Sequence, residues 1–537
     1  MISRRRTRFS AVALELALLR RFALCMVALL AFRLASQAAS HGKAEHVVVM
    51  VWDGMRPDFI TPQYCPNLYT LATNGVFFKN HHPAYVSSTE VNGTAIATGA
   101  FPDHNGIGAN TDYRPMLGWS GPNATEGVEA VRKWDLITGG KYLLVPTIAE
   151  ILQAAGHPTI TAGTKAVVFL HDRSNKRSTA ASSNSVLLYK GQTIPRGLLP
   201  SLVKANEDKA FPEFKYPNKD ADFWTTRSVR SLWNKSVPKY TLVWMSEPDY
   251  SQHEHSPGSE NALAGIENND KNLGDLLKAL DEKKIRDKTD VFVVSDHGFS
   301  TVAKGPDVSD FLKKVHLKAG KKLDDPESGD VMVVPLGGSV ALYVIDDDES
   351  VMAKIAQAFQ TSDFAGPIFS RIPLPGTFPL SDVRIAITNI APDLVLSMRW
   401  TEERNQYGVP GMLYSEGGTK NKGHHASLSR FDMHNTLVAS GPDFKKGLVN
   451  SMPSGNTDLA PTILHILGVP QASGFPMDGR VLKEALVDGE QTATEPKTET
   501  REARRELGIF RWRQYLKYTD YDGVRYFDEG NAGTELR

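Results

Sequence analysis

The chain alternates between two kinds of apolar pattern. Residues 46–52, His-Val-Val-Val-Met-Val-Trp, are almost uninterruptedly apolar, which predicts a central parallel strand buried on both faces. Residues 240–246, 290–295 and 393–398 share that character. Between and around them the period becomes helical. Residues 145–156 end in a glycine stop. Leu263, Ile266, Leu273, Leu276, Leu277 and Leu280 recur at helical spacing, and residues 456–468 run from a cap-like start to another glycine. Strands alternating with helices predict an α/β fold with a doubly wound, mostly parallel sheet.

The pattern changes over residues 300–420. Residues 331–345 read as two strands around the Gly337-Gly338 turn and residues 349–360 as a helix, which predicts an inserted α+β cap carrying some core strands. Residues 41–299 and 421–485 are then the two parts of the α/β core. In residues 486–537, the stretch 489–506 reads as a polar linker and 512–530 as a hairpin turning at Asp522-Gly523.

Arg4, Arg5, Arg6 and Arg8 open the chain, an apolar run covers 22–32, and small residues fill 35–40. Basic, apolar, then small-x-small is the layout of a cleaved secretory signal in residues 1–40. Eleven apolar residues are short for a membrane span. The expectation is therefore export, periplasmic or extracellular, with no stable span after cleavage. The whole chain has 61 basic and 61 acidic residues, but residues 1–40 hold seven Arg and one Glu, so the remainder is acidic by about six charges. No basic run remains to form a nucleic-acid-binding surface. Cys65 is then the lone cysteine, which excludes an intrachain disulfide and a thiolate zinc site.

Metal-ligand residue types follow the apolar runs. The first ends in Asp53; the next continues into Asp249, His253 and His255; the third ends in Asp296-His297; a later loop holds His424 and His425. Open α/β sheets build sites beyond the carboxyl ends of their strands, so these groups are expected to converge. Imidazole plus carboxylate, without thiolate, suits zinc better than calcium or magnesium. Residues 84–107 add hydroxyls before a helix, which reads either as an ordinary cap or as a nucleophile.

The ordered set Asp53-Gly54, Ser-Thr-Glu-Val-Asn-Gly-Thr from Ser88, Glu-Pro-Asp-Tyr-Ser-Gln-His-Glu-His from Glu247, Val-Ser-Asp-His-Gly-Phe from Val294 and Gly-His-His-Ala-Ser-Leu-Ser from Gly423 resembles the alkaline phosphatase superfamily. Within it the chain is most similar to the nucleotide pyrophosphatase/phosphodiesterase (type I phosphodiesterase) family, collinearly from about residue 45 to 480. The resemblance implies an alkaline-phosphatase-like fold and two Zn2+ per chain. It implies Thr89 as the nucleophile and Asn92 as a holder of a phosphoryl oxygen. One zinc would be held by Asp53, Thr89, Asp296 and His297, the other by Asp249, His253 and His425. A small phosphoester would be cleaved through a phosphothreonine that water then hydrolyses. A helix N-terminus favours an anion, and a metal lowers the pKa of a hydroxyl, so the chemistry is coherent.

Two departures bear on the implied site. The family shows Gly-x-His-Gly where this chain has Gly423-His424-His425-Ala426; the following Ser-Leu-Ser aligns His425 as the ligand, with His424 beside it or facing solvent. Nucleotide-cleaving members place Phe-Pro after the nucleophile, where this chain has Glu90-Val91, a carboxylate in place of a base-stacking ring. The alternatives within the superfamily are a phosphomonoesterase or a phosphonate hydrolase. Outside catalysis the alternative is a metal-binding module. A sulfatase is disfavoured, since no Cys/Ser-x-Pro-x-Arg surrounds Thr89.

Overall fold

Four parallel strands set the frame of the molecule. The computed structural model describes residues 42–114, 121–173, 180–490 and 494–536; the expected signal sequence lies outside them. Strands β1 (His46–Trp52), β2 (Thr159–Gly163), β3 (Tyr240–Met245) and β4 (Thr289–Val294) run in the spatial order β2, β3, β1, β4. Strand β5 (Leu437–Ser440) pairs antiparallel with β4. Short strands at Val76–Phe78, Leu448–Asn450, Val186–Tyr189 and Gln192–Ile194 complete a nine-stranded, mostly parallel sheet.

The unbroken apolar runs have the expected physical cause. Val47, Val49 and Val51 face one core with Leu242, Trp244 and Phe292, whereas Val48, Met50 and Trp52 face another with Val243, Met245 and Val291. Strand residues point alternately to opposite faces, so only a sheet covered on both sides needs consecutive hydrophobes. Helix α1 (Thr89–Thr98), helix α2 (Asp249–His255), helix α3 (Glu260–Glu282) and helix α4 (Leu459–Leu467) lie around this sheet. Ser259 caps α3 by accepting from the Ala262 N–H, and α4 stops at Gly468 in the left-handed region at φ 64°. Burying each large aliphatic side chain contributes about 1.5–3 kcal/mol.

The region expected as an inserted cap divides between two sheets. Ser300–Lys304, Trp400–Arg404, Pro410–Tyr414 and Gly423–His424 form one of four strands. A six-stranded sheet includes the hairpin Val331–Pro335 and Ser339–Val344, with the helix Glu349–Phe359 packed on it. Leu394–Met398, expected as a central parallel strand, lies in this second sheet and pairs antiparallel on both sides. An apolar run reports burial on two faces, not membership of a particular sheet.

The expected polar linker is also corrected. Lys497–Leu507 is a strand, paired along its whole length with Phe510–Tyr521, which pairs in turn with Val524–Leu536. The predicted turn at Asp522-Gly523 therefore joins the last two strands of a three-stranded sheet. Among the described residues no helix is long and apolar enough to cross a membrane.

Candidate active site

The carboxyl ends of β1, β3 and β4 deliver the acidic groups to one edge. Asp53 follows β1 directly, Asp249 opens α2 beyond β3, and Asp296-His297 follow β4. All four side chains are fully buried. Gly54 (φ +68°) lets the chain turn tightly here, since a Cβ on it would lie 2.9 Å from the Phe299 ring and 3.2 Å from Asp249 Cβ. Asp296 Oδ1 accepts from the Gly54 N–H at 3.0 Å, and Asp53 Oδ2 accepts from Trp244 Nε1 at 2.7 Å.

Three histidines meet these carboxylates in one manner. Nδ1 of His297 lies 2.9 Å from the Gly298 carbonyl, that of His253 3.2 Å from Gly423 O, and that of His425 2.8 Å from Ser87 O. A carbonyl accepts only, so each Nδ1 carries the hydrogen and each neutral ring has a bare Nε2. His253 Nε2 lies 3.3 Å and His425 Nε2 3.6 Å from Asp249 Oδ1, and His297 Nε2 is 3.2 Å from Asp296 Oδ2. Asp249 Oδ1 and Asp296 Oδ2 have no hydrogen-bond donor. Acceptor facing acceptor in a buried site is unfavourable unless a proton or cation lies between them. Backbone carbonyls that fix the other ring nitrogen are the usual support of metal-ligating imidazoles.

The donor atoms of Asp53, Asp296 and His297 lie within 4.8 Å of one another, as do those of Asp249, His297 and His425. The two trios share His297, so the donors form one continuous cluster. Its chemistry, imidazole nitrogen and carboxylate oxygen, fits zinc.

Thr89 is brought to this cluster by α1. It is the first residue of the helix, after Ser88 at the cap position, and no side-chain hydrogen bond caps the helix. Thr89 Oγ1 instead lies 3.3 Å from His297 Nε2. The hydroxyl stands at the positive end of a fully buried helix, which favours anionic oxygen there.

Electrostatics divide the acids. Burial first, and then the nearby Asp296 carboxylate, push Asp53 well above the usual carboxylate range. Burial also opposes ionisation of Asp249, but Lys165 and His253 outweigh it and hold that group well below the usual range. Burial opposes charge on His297, yet Asp296 and Asp53 raise it to about 9.

Lys165 is a member that sequence reasoning missed. It lies two residues beyond β2, with Nζ 3.1 Å from Asp53 Oδ1 and 2.6 Å from Asp249 Oδ2. It also lies 4.9 Å from the centre of the Tyr250 ring. The available signal was its position at the carboxyl end of a strand parallel to those carrying the aspartates.

Three sequence expectations change in detail. His424 does not face solvent freely: it is half-buried, and its Nδ1 accepts from the His425 N–H at 2.9 Å. Neutral His424 therefore carries its hydrogen on Nε2, whereas His425 has Nε2 bare.

Asn92 is not available to hold a phosphoryl oxygen. Its Oδ1 accepts from the Ala84 N–H and Asn456 Nδ2, and its Nδ2 lies against the carbonyls of Ala84, Val86 and Ser88 at 3.0, 3.4 and 3.2 Å. Asn92 orders the segment leading into Thr89. Asn110, which sequence reasoning did not single out, uses Oδ1 to accept from the Glu90 N–H at 3.1 Å. Among the described residues its amide hydrogens have no partner.

Glu90 does not stand on an open surface. It is buried, and burial followed by the Glu126 carboxylate pushes it well above the usual carboxylate range. Its charged form is therefore disfavoured where the sequence position suggested an exposed carboxylate.

Comparison with known proteins gives the family and the fold. Residues 47–400 match the model of the family described as type I phosphodiesterase/nucleotide pyrophosphatase. Bis(5'-adenosyl)-triphosphatase enpp4 of Xenopus laevis is 21% identical over 454 residues, covering 81% of this chain and 79% of the relative. Ectonucleotide pyrophosphatase/phosphodiesterase family member 5 of Homo sapiens is 21% identical over 472 residues, covering 84% and 80%. Among solved structures, murine ectonucleotide pyrophosphatase/phosphodiesterase 5, in an inactive threonine-to-alanine form in complex with AMP, superposes with a TM-score of 0.56. The identity is 17%, over 82% of this chain and 99% of that one. The fold is thus alkaline-phosphatase-like.

Proposed function

The chain belongs to the type I phosphodiesterase/nucleotide pyrophosphatase family, whose members hydrolyse phosphoric ester bonds, and from that premise we propose an exported two-zinc phosphodiesterase or nucleotide pyrophosphatase that works through Thr89. The observation that carries the proposal is the Thr89 hydroxyl, held at a helix N-terminus 3.3 Å from His297 Nε2 within a cluster of buried carboxylates and bare imidazole nitrogens. The inactive threonine-to-alanine form of the murine neighbour supports a threonine nucleophile, and its AMP supports a small nucleotide-like substrate.

Asp53, Thr89, Asp296 and His297 would hold one zinc, and Asp249, His253 and His425 the other. Zinc in these places supplies a lowered hydroxyl pKa and a counter-charge for phosphoryl oxygens. Thr89 Oγ gives up its proton and forms a bond to phosphorus as the bond to the leaving alcohol or phosphate oxygen breaks, that oxygen taking up a proton, giving phosphothreonine. Water then breaks the phosphothreonine ester and restores the hydroxyl. Asn110, its oxygen fixed by the Glu90 N–H, supplies the neutral donor to a phosphoryl oxygen that the family resemblance implied for Asn92. The ectoenzyme relatives and the basic-apolar-small N-terminal sequence support export.

Lys165 favours a second reading. With zinc neutralising Asp53 and Asp249, its ammonium needs another anion, and a dianionic monoester or a phosphonate bearing a second charge supplies one. A panel of bis-nitrophenyl phosphate, a nucleotide 5′-nitrophenyl ester, ATP and nitrophenyl phosphate separates the readings. The first expects diesters and pyrophosphate bonds to lead in kcat/KM; monoesters as best substrates would replace it with the second.

A further inference from the structure

A second group of metal-type donors lies outside the active-site cluster. His82, on the short strand His81–His82, directs Nδ1 at the Ser454 carbonyl at 3.1 Å and Nε2 at Asp528 Oδ1 at 3.1 Å. His434 directs Nδ1 at the Arg430 carbonyl at 3.0 Å, and its ring centre lies 4.7 Å from that of His82. Asp528 Oδ2 accepts from Thr519 Oγ1 at 2.9 Å. One donor atom from each of His82, His434 and Asp528 lies within 4.8 Å of the other two.

The hydrogen assignments make this more than proximity. Both Nδ1 atoms face carbonyls, so both must carry hydrogen, and both neutral rings have a bare Nε2. His82 Nε2 then opposes a carboxylate oxygen with two lone pairs in contact. Either His82 takes a second proton, or a cation lies among the three donors. A proton on His82 serves only the His82–Asp528 pair and leaves His434 Nε2 facing a further acceptor, Asn80 Oδ1 at 3.3 Å. A divalent ion uses all three. The outer hydrogen bonds from carbonyls and from Thr519 are the kind that orient metal ligands.

We propose that His82, His434 and Asp528 form a third metal site, distinct from the active-site cluster, that takes zinc or a similar first-row divalent ion with water completing its coordination. Two imidazoles and one carboxylate match three-ligand zinc chemistry and suit calcium or magnesium poorly. The three ligands come from the segment before α1, from the loop after His425 and from the last strand of the C-terminal sheet. The ion would therefore fasten that sheet to the two segments that position Thr89 and His425. A hydrogen-bonded chain continues inward: His81, next to His82, contacts Asn456 Oδ1 at 3.0 Å, and Asn456 Nδ2 donates to Asn92 Oδ1 and the Asp296 carbonyl. Binding that joins residues far apart in sequence adds to folding stability.

The test is metal content of the zinc-loaded full chain, with anomalous scattering at the zinc edge from its crystals. The wild type is expected to hold one more zinc than His434→Gln or Asp528→Asn, and a separate anomalous peak is expected among His82, His434 and Asp528. Asp249→Asn should lower metal content while leaving that peak in place, which separates this site from the active-site reading. Crystals with peaks at the active site and none at His82 would overturn the proposal, as would unchanged content in both variants. The wild-type anomalous map decides the matter even where a variant fails to fold.

Discussion

Lys165 holds its ammonium 2.6 Å from Asp249 Oδ2 and at the same time 3.1 Å from Asp53 Oδ1, so one lysine pairs with the two carboxylates that begin the active site. Both acids are fully buried, and removing a buried partner leaves charge uncompensated. Lys165→Met should destabilise the chelator-treated protein by about 3–5 kcal/mol. Zinc should remove most of that loss by taking over the neutralisation. Thermal melts with and without EDTA measure it, and an equal loss in both conditions would show that the lysine stabilises by packing alone.

Thr89→Ala should abolish turnover while the protein retains most of its zinc, because six of the seven proposed ligands remain. Thr89→Ser should keep partial activity, since the hydroxyl survives. The paired readouts are steady-state rates and bound zinc. Substantial turnover by the alanine variant would mean that the attacking oxygen is not Thr89's.

His425 should matter to metal binding more than His424. The Ser87 carbonyl holds hydrogen on His425 Nδ1 and leaves Nε2 bare, whereas the His425 N–H holds His424 in the opposite tautomer. His425→Ala should therefore lower zinc content and rate together. Loss of His424, which orders the loop, should cost roughly 10–100-fold in affinity or rate. The reverse pattern of zinc loss would exchange the two assignments.

The placement of Asp53, Asp249 and Asp296-His297 was legible because buried parallel strands announce themselves as apolar runs, and sites lie beyond their carboxyl ends. Lys165 was not legible, since a long side chain acquires its role only when aspartates from two other strands arrive beside it. Asn92 misled for a related reason: three positions beyond Thr89 on a helix suggests a shared face, yet its amide turns back to the preceding segment. Lys497–Leu507 escaped notice because it is an edge strand with mostly exposed side chains. Its pairing rests on the backbone ladder and ion pairs such as Arg513 with Glu502, so it carries no apolar alternation.

His297 gives the metal-free protein a definite pH dependence. Its pKa is raised to about 9 because Asp296 and Asp53 outweigh the opposing effect of burial. A raised pKa means that the folded state holds the proton more tightly than the unfolded chain does. The resulting stabilisation is fully present below the unfolded value, about 6.5, and is lost as pH rises through about 9. Melts of EDTA-treated wild type minus His297→Asn should show that loss over this window. A difference independent of pH would remove the assignment of a proton to His297.

Glu90 sets the last expectation. It is buried beside Glu126, and burial, followed by that neighbour, pushes it well above the usual carboxylate range. Glu90→Gln preserves size and hydrogen-bonding capacity without needing the proton, so diester kcat/KM should stay close to wild type. Glu90→Phe places a ring in a closed space and should cost about 1–3 kcal/mol of stability from overpacking. It should not improve nucleotide esters selectively, because the side chain at this position does not reach an open face where a base could stack. Denaturant melts and the substrate panel measure both effects. A selective gain on nucleotide esters in the Phe variant would mean that position 90 faces the bound substrate.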